Sequence, residues 1–402
     1  MQATSSFGAA ITRRLRKWAL VFLKVLELGD AVAELIGLHG TRIKEIIPCA
    51  GFDQSKARLV IYAHYNPNYR ITPLILEIMR TYSDQGFNVV FVTSSKRIAP
   101  PDLETAKSIC ALIIRRRSYG RDFGAWKDGW RIVRRKYKPP LELLLTNDTL
   151  LGPVCPVAPM FDRLRNCDAD VVGLTDSWDR SYHLQSFFLV FRQPKGIQVA
   201  DRYLRRLLLR NSREWVITRG EIAMTRIALR HGLKVDALYR YEDLLSCTMQ
   251  QPDLLAAYVA SNPGILEFAV DQAKRFTFAI DDSAASGPSM IKDTPVDTQK
   301  HDAVAQRSRS THLFSHLRMG TELTERFARE NLVAATLNPT HYFWKALITR
   351  FRFPFIKADL LAFNPSGIAQ LEDWKSVVTK EGILDVDIIR GHLKTIDVRR
   401  VP

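Results

Sequence analysis

The sequence predicts an α/β fold with a mostly parallel sheet, and three observations support this prediction. From residue 58 onwards, short apolar and β-branched runs alternate with stretches of helical periodicity, which is the pattern of βαβ units. Polar side chains follow directly after several of those runs. The chain has 402 residues, of which 46% are hydrophobic, enough for a full core and an appendage. We therefore expect one large sheet domain with smaller segments attached to it.

The first part of the pattern contains three strands and two helices. Leu59–Ala63, Asn88–Thr93 and Ala111–Ile114 are β-branched or apolar runs of strand length. Between them, Ile71–Tyr82 carries apolar residues at helical spacing and residues 102–110 suit a shorter helix. Strands that alternate with helices in this way favour parallel pairing.

The second part continues the same alternation. A helix with Phe123, Trp126, Trp130 and Val133 on one stripe comes next, followed by an apolar strand that begins at Leu143 and runs into the Asn147-Asp148 pair. The later predicted elements are a helix at 157–166, strands at Asp170–Leu174 and Phe187–Phe191, helices at 197–210 and 219–231, and a strand at Lys234–Tyr239.

Composition divides the chain into four parts. Residues 1–57 form a basic segment in which positions 11–38 suit an amphipathic helix, either an ordinary packed helix or one lying on an anionic bilayer. Residues 58–280 contain the alternating strands and helices and are expected to form the main domain, in which we look for a catalytic site. Residues 281–311 are rich in polar residues and predict a loop or linker. Residues 312–402 regain apolar content and predict a helical extension packed on the catalytic domain.

Charge and cysteine usage narrow the partners and the compartment. The net charge of +16 favours an anionic partner: nucleic acid, a phosphorylated metabolite or an anionic membrane face. The five cysteines are scattered without CxxC pairs, which argues against a zinc site and a disulfide framework and favours a reducing compartment. Lys24 interrupts the apolar run at 18–23, so we expect neither a signal peptide nor a spanning helix there.

Candidate binding residues lie where predicted strands end, because ligands of open α/β sheets bind beyond the carboxyl ends of the strands. His64 and Tyr65 follow the first strand, Ser94 follows the second, and Asn147 and Asp148 follow the fourth. The carboxylate of Asp148 and the amide oxygen of Asn147 suit Mg²⁺ or Mn²⁺ that is also bound by a diphosphate. An Asn-Asp pair on its own, however, is more often a turn.

A glycine- and arginine-rich segment lies upstream of that pair. Tyr119, Gly120, Arg121 and Asp122 are candidate ligand contacts, because glycine allows close approach of the backbone and arginine offers a fixed cation to phosphate. The alternative is a positively charged helix start without a ligand. The triple arginine at 115–117 is expected to be solvated surface.

Two carboxylates and a histidine downstream complete the candidates. Glu221 can serve as the base that an inverting transfer requires, or it can simply stabilise the start of a helix. Asp176 is the competing candidate for the base. His183 can contact metal or phosphate, although a lone histidine is more often structural.

Several sequence blocks together resemble the rhamnan synthesis F family of bacterial polysaccharide glycosyltransferases. The resemblance covers roughly residues 58–398. The matching blocks are YGRDFGAWK at 119–127, LLTNDTLLGP at 144–153, DVVGLT at 170–175, HLQSFFLVF at 183–191, NPTH at 338–341, FPFIK at 353–357 and NP at 364–365.

The resemblance implies a GT-A-like fold and a nucleotide-sugar donor, commonly dTDP-L-rhamnose. It also implies work on a cell-surface polysaccharide such as O-antigen, at the cytoplasmic face of the membrane. The chain also resembles the broader inverting GT-A pattern, in which a Gly-and-Arg segment precedes an Asp-x-Asp strand and an acidic residue opens a later helix. By that similarity Asp148 is a metal ligand, Arg121 and Asp122 contact the nucleotide sugar, and Glu221 is the base. One departure is that the usual Asp-x-Asp is Thr-Asn-Asp here, with a single carboxylate, and Asn147 can offer only a weaker amide ligand.

The leading hypothesis is therefore transfer of a deoxysugar, L-rhamnose, to a hydroxyl of a lipid-linked glycan with a divalent cation as cofactor. Two alternatives belong to other classes: a basic nucleic-acid-binding protein, or a non-catalytic scaffold for polysaccharide assembly. No RNP-like strand, zinc finger or basic zipper is found in the sequence, so nucleic acid is not the expected partner.

Overall fold

The structure is a computed structural model that describes residues 42–49, 51–265, 267 and 324–396. The helix predicted at 11–38 and the linker predicted at 281–311 lie outside the described residues. In the described part of the chain, no helix is both long enough and apolar enough to cross a bilayer.

A nine-stranded sheet forms the centre of the protein. Its strands, numbered in chain order, are β1 (Ile43–Pro48), β2 (Arg58–His64), β3 (Phe87–Thr93), β4 (Leu112–Arg116), β5 (Glu142–Asn147), β7 (Val171–Ser177), β8 (His183–Leu184), β9 (Phe188–Arg192) and β10 (Val235–Tyr239). A separate two-stranded sheet pairs β6 (Leu150–Leu151) with β11 (Ile356–Lys357).

The spatial order of the main sheet is β1-β4-β3-β2-β5-β9-β7-β10, with β8 pairing to β7. Neighbouring strands from β4 to β5 pair in parallel, as do β7 and β10. The antiparallel strands are β1 at one edge, β9 between β5 and β7, and the short β8. The α/β class and the mostly parallel sheet of the GT-A-like prediction are therefore confirmed.

Helices cover both faces of the sheet. In chain order they are α1 (Pro73–Asp84), α2 (Pro100–Ile109), α3 (Arg121–Lys136), α4 (Ala158–Asn166), α5 (Lys195–Arg206), α6 (Arg213–Trp215), α7 (Ala223–Arg230), α8 (Tyr241–Gln250), α9 (Pro252–Ala260), α10 (Pro339–Tyr342), α11 (Trp344–Thr349), α12 (Ala358–Phe363), α13 (Trp374–Glu381) and α14 (Val386–Leu393). A π-helical segment (Val216–Ile222) joins α6 to α7, and a 3₁₀ turn (Leu371–Asp373) precedes α13. Residues 324–334 are also helical.

Alternate residues of each central strand point to opposite faces, so the sheet separates two apolar cores. Val60 and Tyr62 of β2 belong to the larger cluster, which also contains much of the segment after residue 337. Leu59 and Ile61 belong to the other cluster, together with the apolar stripe of α3. A strand buried on both faces has an almost continuous apolar sequence, which is why these strands could be predicted.

Three features differ from the sequence-based expectation. The strand predicted to run into the Asn-Asp pair includes Asn147. Asp148 and Thr149 then form a turn, and the separate strand β6 begins at Leu150. Glu221 does not open an α-helix, because it lies near the end of the π-helical segment. The edge strand β1 was not predicted, since its Lys44 and Glu45 interrupt the apolar pattern.

One glycine of α3 permits a close contact that shapes the loop before the helix. A Cβ at Gly124 would lie 2.1 Å from the carbonyl oxygen of Tyr119 and 2.8 Å from Nη2 of Arg116. The Arg116 Nη2 donates a hydrogen bond of 2.6 Å to that same carbonyl. Any side chain at position 124 would therefore press on the loop and on the arginine that holds it.

The substitution Gly124→Ala should lower the free energy of unfolding by about 1–3 kcal/mol, because the added methyl group forces a backbone or side-chain shift. Gly391→Ala is the matched control: it also lies in a helix, and its Cβ would meet nothing within 4 Å. The control should leave stability unchanged or raise it by up to about 1 kcal/mol. Urea denaturation followed by circular dichroism measures both, and equal stability of the two variants would contradict the proposed crowding.

Candidate functional site

A basic cleft of about 640 Å³ opens at the carboxyl ends of β2, β3 and β4. Tyr65, Ser94 and Tyr119, three of the predicted ligand contacts, line this cleft. Among its described lining residues there is no carboxylate. Six lining residues are basic: Arg42, Lys44, Lys96, Arg115, Arg116 and Arg117. The cleft is therefore suited to an anionic ligand.

A buried ion network fixes the floor of the cleft. Asp128 of α3 is fully buried and forms ion pairs with Arg116 at 2.9 Å and with Arg42 at 3.1 Å. Burial opposes the charge of Asp128, yet the hydrogen bonds and charges of the two arginines lower the pKa of this carboxyl group. The Arg116 Nη1 also donates to Ser94 Oγ at 3.1 Å. The expectation that the triple arginine is solvated surface is thus wrong for Arg116, whose partner Asp128 lies on the following helix.

Two carboxylates lie beside each other next to the cleft. The Oδ2 of Asp148 accepts a hydrogen bond of 2.7 Å from the backbone N–H of Tyr65, a cleft residue. Burial and then the nearby charge of Asp122 raise the pKa of Asp148 to about 7. Burial also raises the pKa of Asp122, at the first turn of α3. Because the pKa values of both carboxyl groups are raised, their negative charges are unfavourable in the absence of a ligand. A cation bound between them would stabilise both ionised forms.

Asn147 connects these groups instead of offering its amide to solvent. Its Nδ2 donates to Oδ2 of Asp122 at 2.7 Å. Its Oδ1 accepts from the Oγ1 of Thr149 at 2.6 Å and from the Thr149 backbone at 3.2 Å. The predicted ligand role of Asn147 would require its oxygen to leave two hydrogen bonds.

Lys357 enters the same region from the far end of the chain, and sequence reasoning missed it. Its Nζ donates to Thr149 Oγ1 at 2.7 Å and lies 4.6 Å from the centre of the Phe187 ring. The positive charge of Lys357 favours the ionised forms of Asp122 and Asp148. It therefore offsets part of the rise in their pKa values. A signal was present in the sequence, since Lys357 is a polar residue that directly follows an apolar run within the FPFIK block.

Glu221 is part of the same constellation. The hydroxyl group of Ser186 donates a short hydrogen bond to Glu221 Oε1, and the Ser186 backbone N–H donates to the same oxygen at 3.3 Å. The charge of Glu221 contributes to the raised pKa of Asp122. A Cβ at Gly220 would lie 2.7 Å from the Phe123 ring, so the π-helical segment packs tightly against the start of α3.

The loop before α3 is tied to residues 209–211. Gly120 has a φ of 74° and Arg121 a φ of 49°, both in the left-handed region. The Gly120 N–H donates to Asn211 Oδ1 at 2.8 Å, and Arg121 Nε donates to the Asn211 carbonyl at 3.0 Å. The hydroxyl group of Tyr119 donates to the Leu209 carbonyl at 3.2 Å. Arg121 therefore lies on the outside of this turn, while Asp122 lies beside Asn147 and Asp148.

Three predicted residues have other partners. Asp176 Oδ1 accepts from the backbone N–H of Tyr241 at 2.7 Å and so stabilises the start of α8. His183 Nδ1 bonds the Ser181 carbonyl at 2.9 Å, and in the described part of the chain no contact joins His183 to Asp148. His64 bonds Thr93 Oγ1 at 3.0 Å inside the core. Burial, aided by the charge of His392, lowers the pKa of His64 to about 3, so its ring is neutral.

The carboxylate pair fits a divalent cation that takes most of its ligands from a substrate. Among the described residues there is no group of three or more His, Cys, Asp and Glu side chains that could hold a metal ion. Mg²⁺ and Mn²⁺ are commonly bound through one or two carboxylates together with phosphate oxygens and water. Asp148 with Asp122 is a donor set of that kind.

Comparison with known proteins finds two curated relatives. The chain is 28% identical over 217 residues to the uncharacterized protein y4gN of Sinorhizobium fredii, a match that covers 52% of this chain and 54% of the relative. It is 24% identical over 290 residues to the virulence protein VirA of Vibrio anguillarum, covering 71% and 72%. The chain thus spans about half the length of the first relative.

Two solved structures share a loose likeness in fold. A candidate nucleotide-diphospho-sugar transferase from Desulfovibrio desulfuricans G20 is 10% identical with a TM-score of 0.29, covering 46% of this chain and 80% of that one. The mannosyltransferase PcManGT from Pyrobaculum calidifontis, solved with GDP-Man and Mn²⁺, is 11% identical with a TM-score of 0.30, covering 93% and 97%.

A family model also matches this chain. The model of rhamnan synthesis protein F matches residues 89–312, which is more than half of the chain. This range includes the α3 loop, the Asn-Asp strand end and the π-helical segment with Glu221. The chain belongs to the rhamnan synthesis protein F family.

Proposed function

We propose that this protein transfers a deoxysugar, L-rhamnose, from a nucleoside diphosphate to a hydroxyl of a lipid-linked precursor of cell-surface polysaccharide such as O-antigen, with inversion. Membership of the rhamnan synthesis protein F family supports glycosyl transfer from a nucleotide sugar. The observation that carries the proposal is the junction of a basic cleft with a carboxylate pair, made by the hydrogen bond from Tyr65 to Asp148.

The cleft provides the donor site in this proposal. Its cationic lining favours the diphosphate of a donor such as dTDP-L-rhamnose. The Tyr65 side chain is 39% exposed at the rim and offers an aromatic face to a nucleobase. Ser94 and Tyr119 are held in place by Arg116, so the pocket is formed before the donor arrives.

In the proposed reaction the carboxylates have two roles: one pair binds the metal ion, and a third carboxylate accepts the acceptor's proton. Asp148 and Asp122 would hold Mg²⁺ or Mn²⁺, which when bound neutralises charge on the diphosphate. Glu221 accepts the proton of the acceptor hydroxyl as that oxygen attacks the anomeric carbon. Ser186 holds the Glu221 carboxylate in one orientation through two hydrogen bonds. Asp176 remains the competing candidate for the base, and His183 remains a candidate for contact with metal or phosphate.

The proposal includes a cytoplasmic location with peripheral attachment to the inner face of the membrane. The net charge of +16 suits an anionic lipid surface, and a lipid-linked acceptor would be found there. The proposal also retains the four parts of the chain that composition predicts, which are residues 1–57, 58–280, 281–311 and 312–402. The pairing of β11 with β6 supports close packing of the last part on the catalytic domain.

A thermal-shift panel of nucleoside diphosphates and nucleotide sugars, with and without Mn²⁺, tests the donor site. We expect one nucleotide sugar to raise the melting temperature selectively and Mn²⁺ to increase that rise. Asp148→Ala should lose both the Mn²⁺ effect and transfer of the sugar, because it removes a cation ligand. Asp168→Ala, an exposed carboxylate paired with Lys234, is the control and should behave as wild type. Wild-type transfer by the Asp148 variant would contradict the metal role.

Cation affinity should depend on pH through Asp148. Its pKa is raised to about 7, so this carboxyl group is protonated below that pH and its negative charge is lost. Only the ionised form binds a cation, and we expect Mn²⁺ affinity to fall about tenfold per pH unit below pH 7. Calorimetric titration of the nucleotide-free protein between pH 6 and pH 8 measures this. A constant affinity across the range would rule the dependence out.

Two variants distinguish the candidate bases. Glu221→Gln keeps the shape of the side chain and should lower kcat by about 10²- to 10⁴-fold with donor binding unchanged, since only the proton acceptor is lost. Asp176→Asn should keep kcat within about twofold, because an amide oxygen can still accept from the Tyr241 N–H. Steady-state kinetics decide between them, and the reverse pattern would make Asp176 the base.

A further inference from the structure

We propose that Lys357 is a catalytic residue that binds the donor diphosphate and stabilises the charge that develops on it. This inference rests on the proposed function and extends it to a side chain from the C-terminal part of the chain. Lys357 lies on β11, opposite Leu150 of β6 in an antiparallel pair. It is thereby brought to the loop that carries the Asn-Asp pair, although about 200 residues separate the two in sequence.

The backbone around Lys357 is fixed on both sides. The Ala358 N–H donates to the Thr149 carbonyl at 2.9 Å, and the Val154 N–H donates to the Pro354 carbonyl at 2.9 Å. A Cβ at Gly152 would lie 2.4 Å from that same Pro354 carbonyl, so the two segments approach closely. The position of the lysine stem is consequently set by the fold before any ligand binds.

The side chain is also oriented. Its Nζ donates to Thr149 Oγ1, Thr149 Oγ1 donates to Asn147 Oδ1, and Asn147 Nδ2 donates to Asp122 Oδ2. The face of the Phe187 ring lies 4.6 Å from Nζ and supports the cation from another side. Within this chain of hydrogen bonds the amide of Asn147 both accepts and donates, which a carboxylate at the same position could not do.

The ammonium group keeps capacity for a ligand. In the described part of the chain no carboxylate oxygen lies within ion-pair distance of Lys357, and Thr149 Oγ1 is the hydrogen-bond acceptor found for it. An ammonium group has three donors. The positive charge of Lys357 nevertheless favours the ionised forms of Asp122 and Asp148. This arrangement suits a diphosphate with a bound metal ion. The free N–H donors of Lys357 can bind the phosphate oxygens, and the two carboxylates can bind the metal ion.

The transfer step then balances as follows. The bond between the anomeric carbon and the phosphate oxygen breaks, and its electron pair stays on the departing diphosphate. The acceptor oxygen forms the new bond to that carbon, and its proton goes to Glu221. Lys357 keeps its proton throughout and donates a hydrogen bond to the diphosphate, which gains negative charge as the bond breaks.

The test compares nucleoside diphosphates with monophosphates, because a lysine that contacts the second phosphate affects only the former. The probes are dTDP and dTMP, with the UDP/UMP and GDP/GMP pairs alongside, titrated calorimetrically into the full-length protein. The variants are Lys357→Met, Lys357→Gln and Lys357→Arg. Lys345→Met is the control, since Lys345 belongs to the same C-terminal part and pairs with Asp373 at 2.9 Å.

We expect Lys357→Met and Lys357→Gln to weaken diphosphate binding by about 10- to 100-fold, the value of a hydrogen bond to a charged group. Monophosphate binding should stay within about twofold, kcat should fall, and Lys357→Arg should recover part of both losses. Lys345→Met should match wild type. A folded Met or Gln variant that keeps the diphosphate preference and kcat would overturn the role of Lys357. A wild-type protein that binds none of these nucleotides would overturn the proposed function instead.

Discussion

The buried carboxylate of Asp128 is the interaction on which the rest of the cleft depends. It neutralises Arg116 at the end of β4 and Arg42 just before β1, and Arg116 in turn holds Ser94 and the loop before α3. A buried charge that loses its partner lowers the free energy of unfolding by several kcal/mol. Replacing any one of these three charged side chains would therefore destabilise the other two. These ion pairs and hydrogen bonds thereby connect three parts of the protein into one unit: the edge of the sheet, the first turn of α3 and the basic lining of the cleft.

A second set of contacts joins this unit to the carboxylates. Small residues make it possible: Gly124 admits the loop carbonyl, Gly220 admits the Phe123 ring, and Gly152 admits the strand that carries Lys357. Gly220 and Gly152 each allow two segments that are distant in sequence to approach closely, and Gly124 lets the loop before α3 close onto its own helix. The constellation of Asp122, Asp148, Glu221 and Lys357 is therefore assembled by close backbone packing and not by one local motif.

The sheet could be predicted because its central strands are buried on both faces and so have continuous apolar sequences. A related argument identified Asp148 as a candidate, since polar residues at strand ends meet at one edge of a parallel sheet. Asp122 was identified from the glycine- and arginine-rich segment that begins α3. Sequence reasoning could not predict Lys357, because nothing local shows that β11 pairs with β6. It could not predict the burial of Arg116 either, since the compensating Asp128 is twelve residues away on another element. The π-helical segment was missed because a 3.6-residue period does not reveal an inserted residue.

The pairing of β6 with β11 has a consequence for how the protein matures. Domains generally fold as units during synthesis, from the N-terminus onwards. The nine described strands of the main sheet lie before residue 240, whereas Lys357 is joined to the carboxylate loop only after β11, more than 100 residues further along the chain, has been made. Contacts between such distant positions are also the slow ones to form. A chain that is still on the ribosome can thus hold a formed sheet before Lys357 has been synthesised, and the constellation is completed only once β11 has paired with β6.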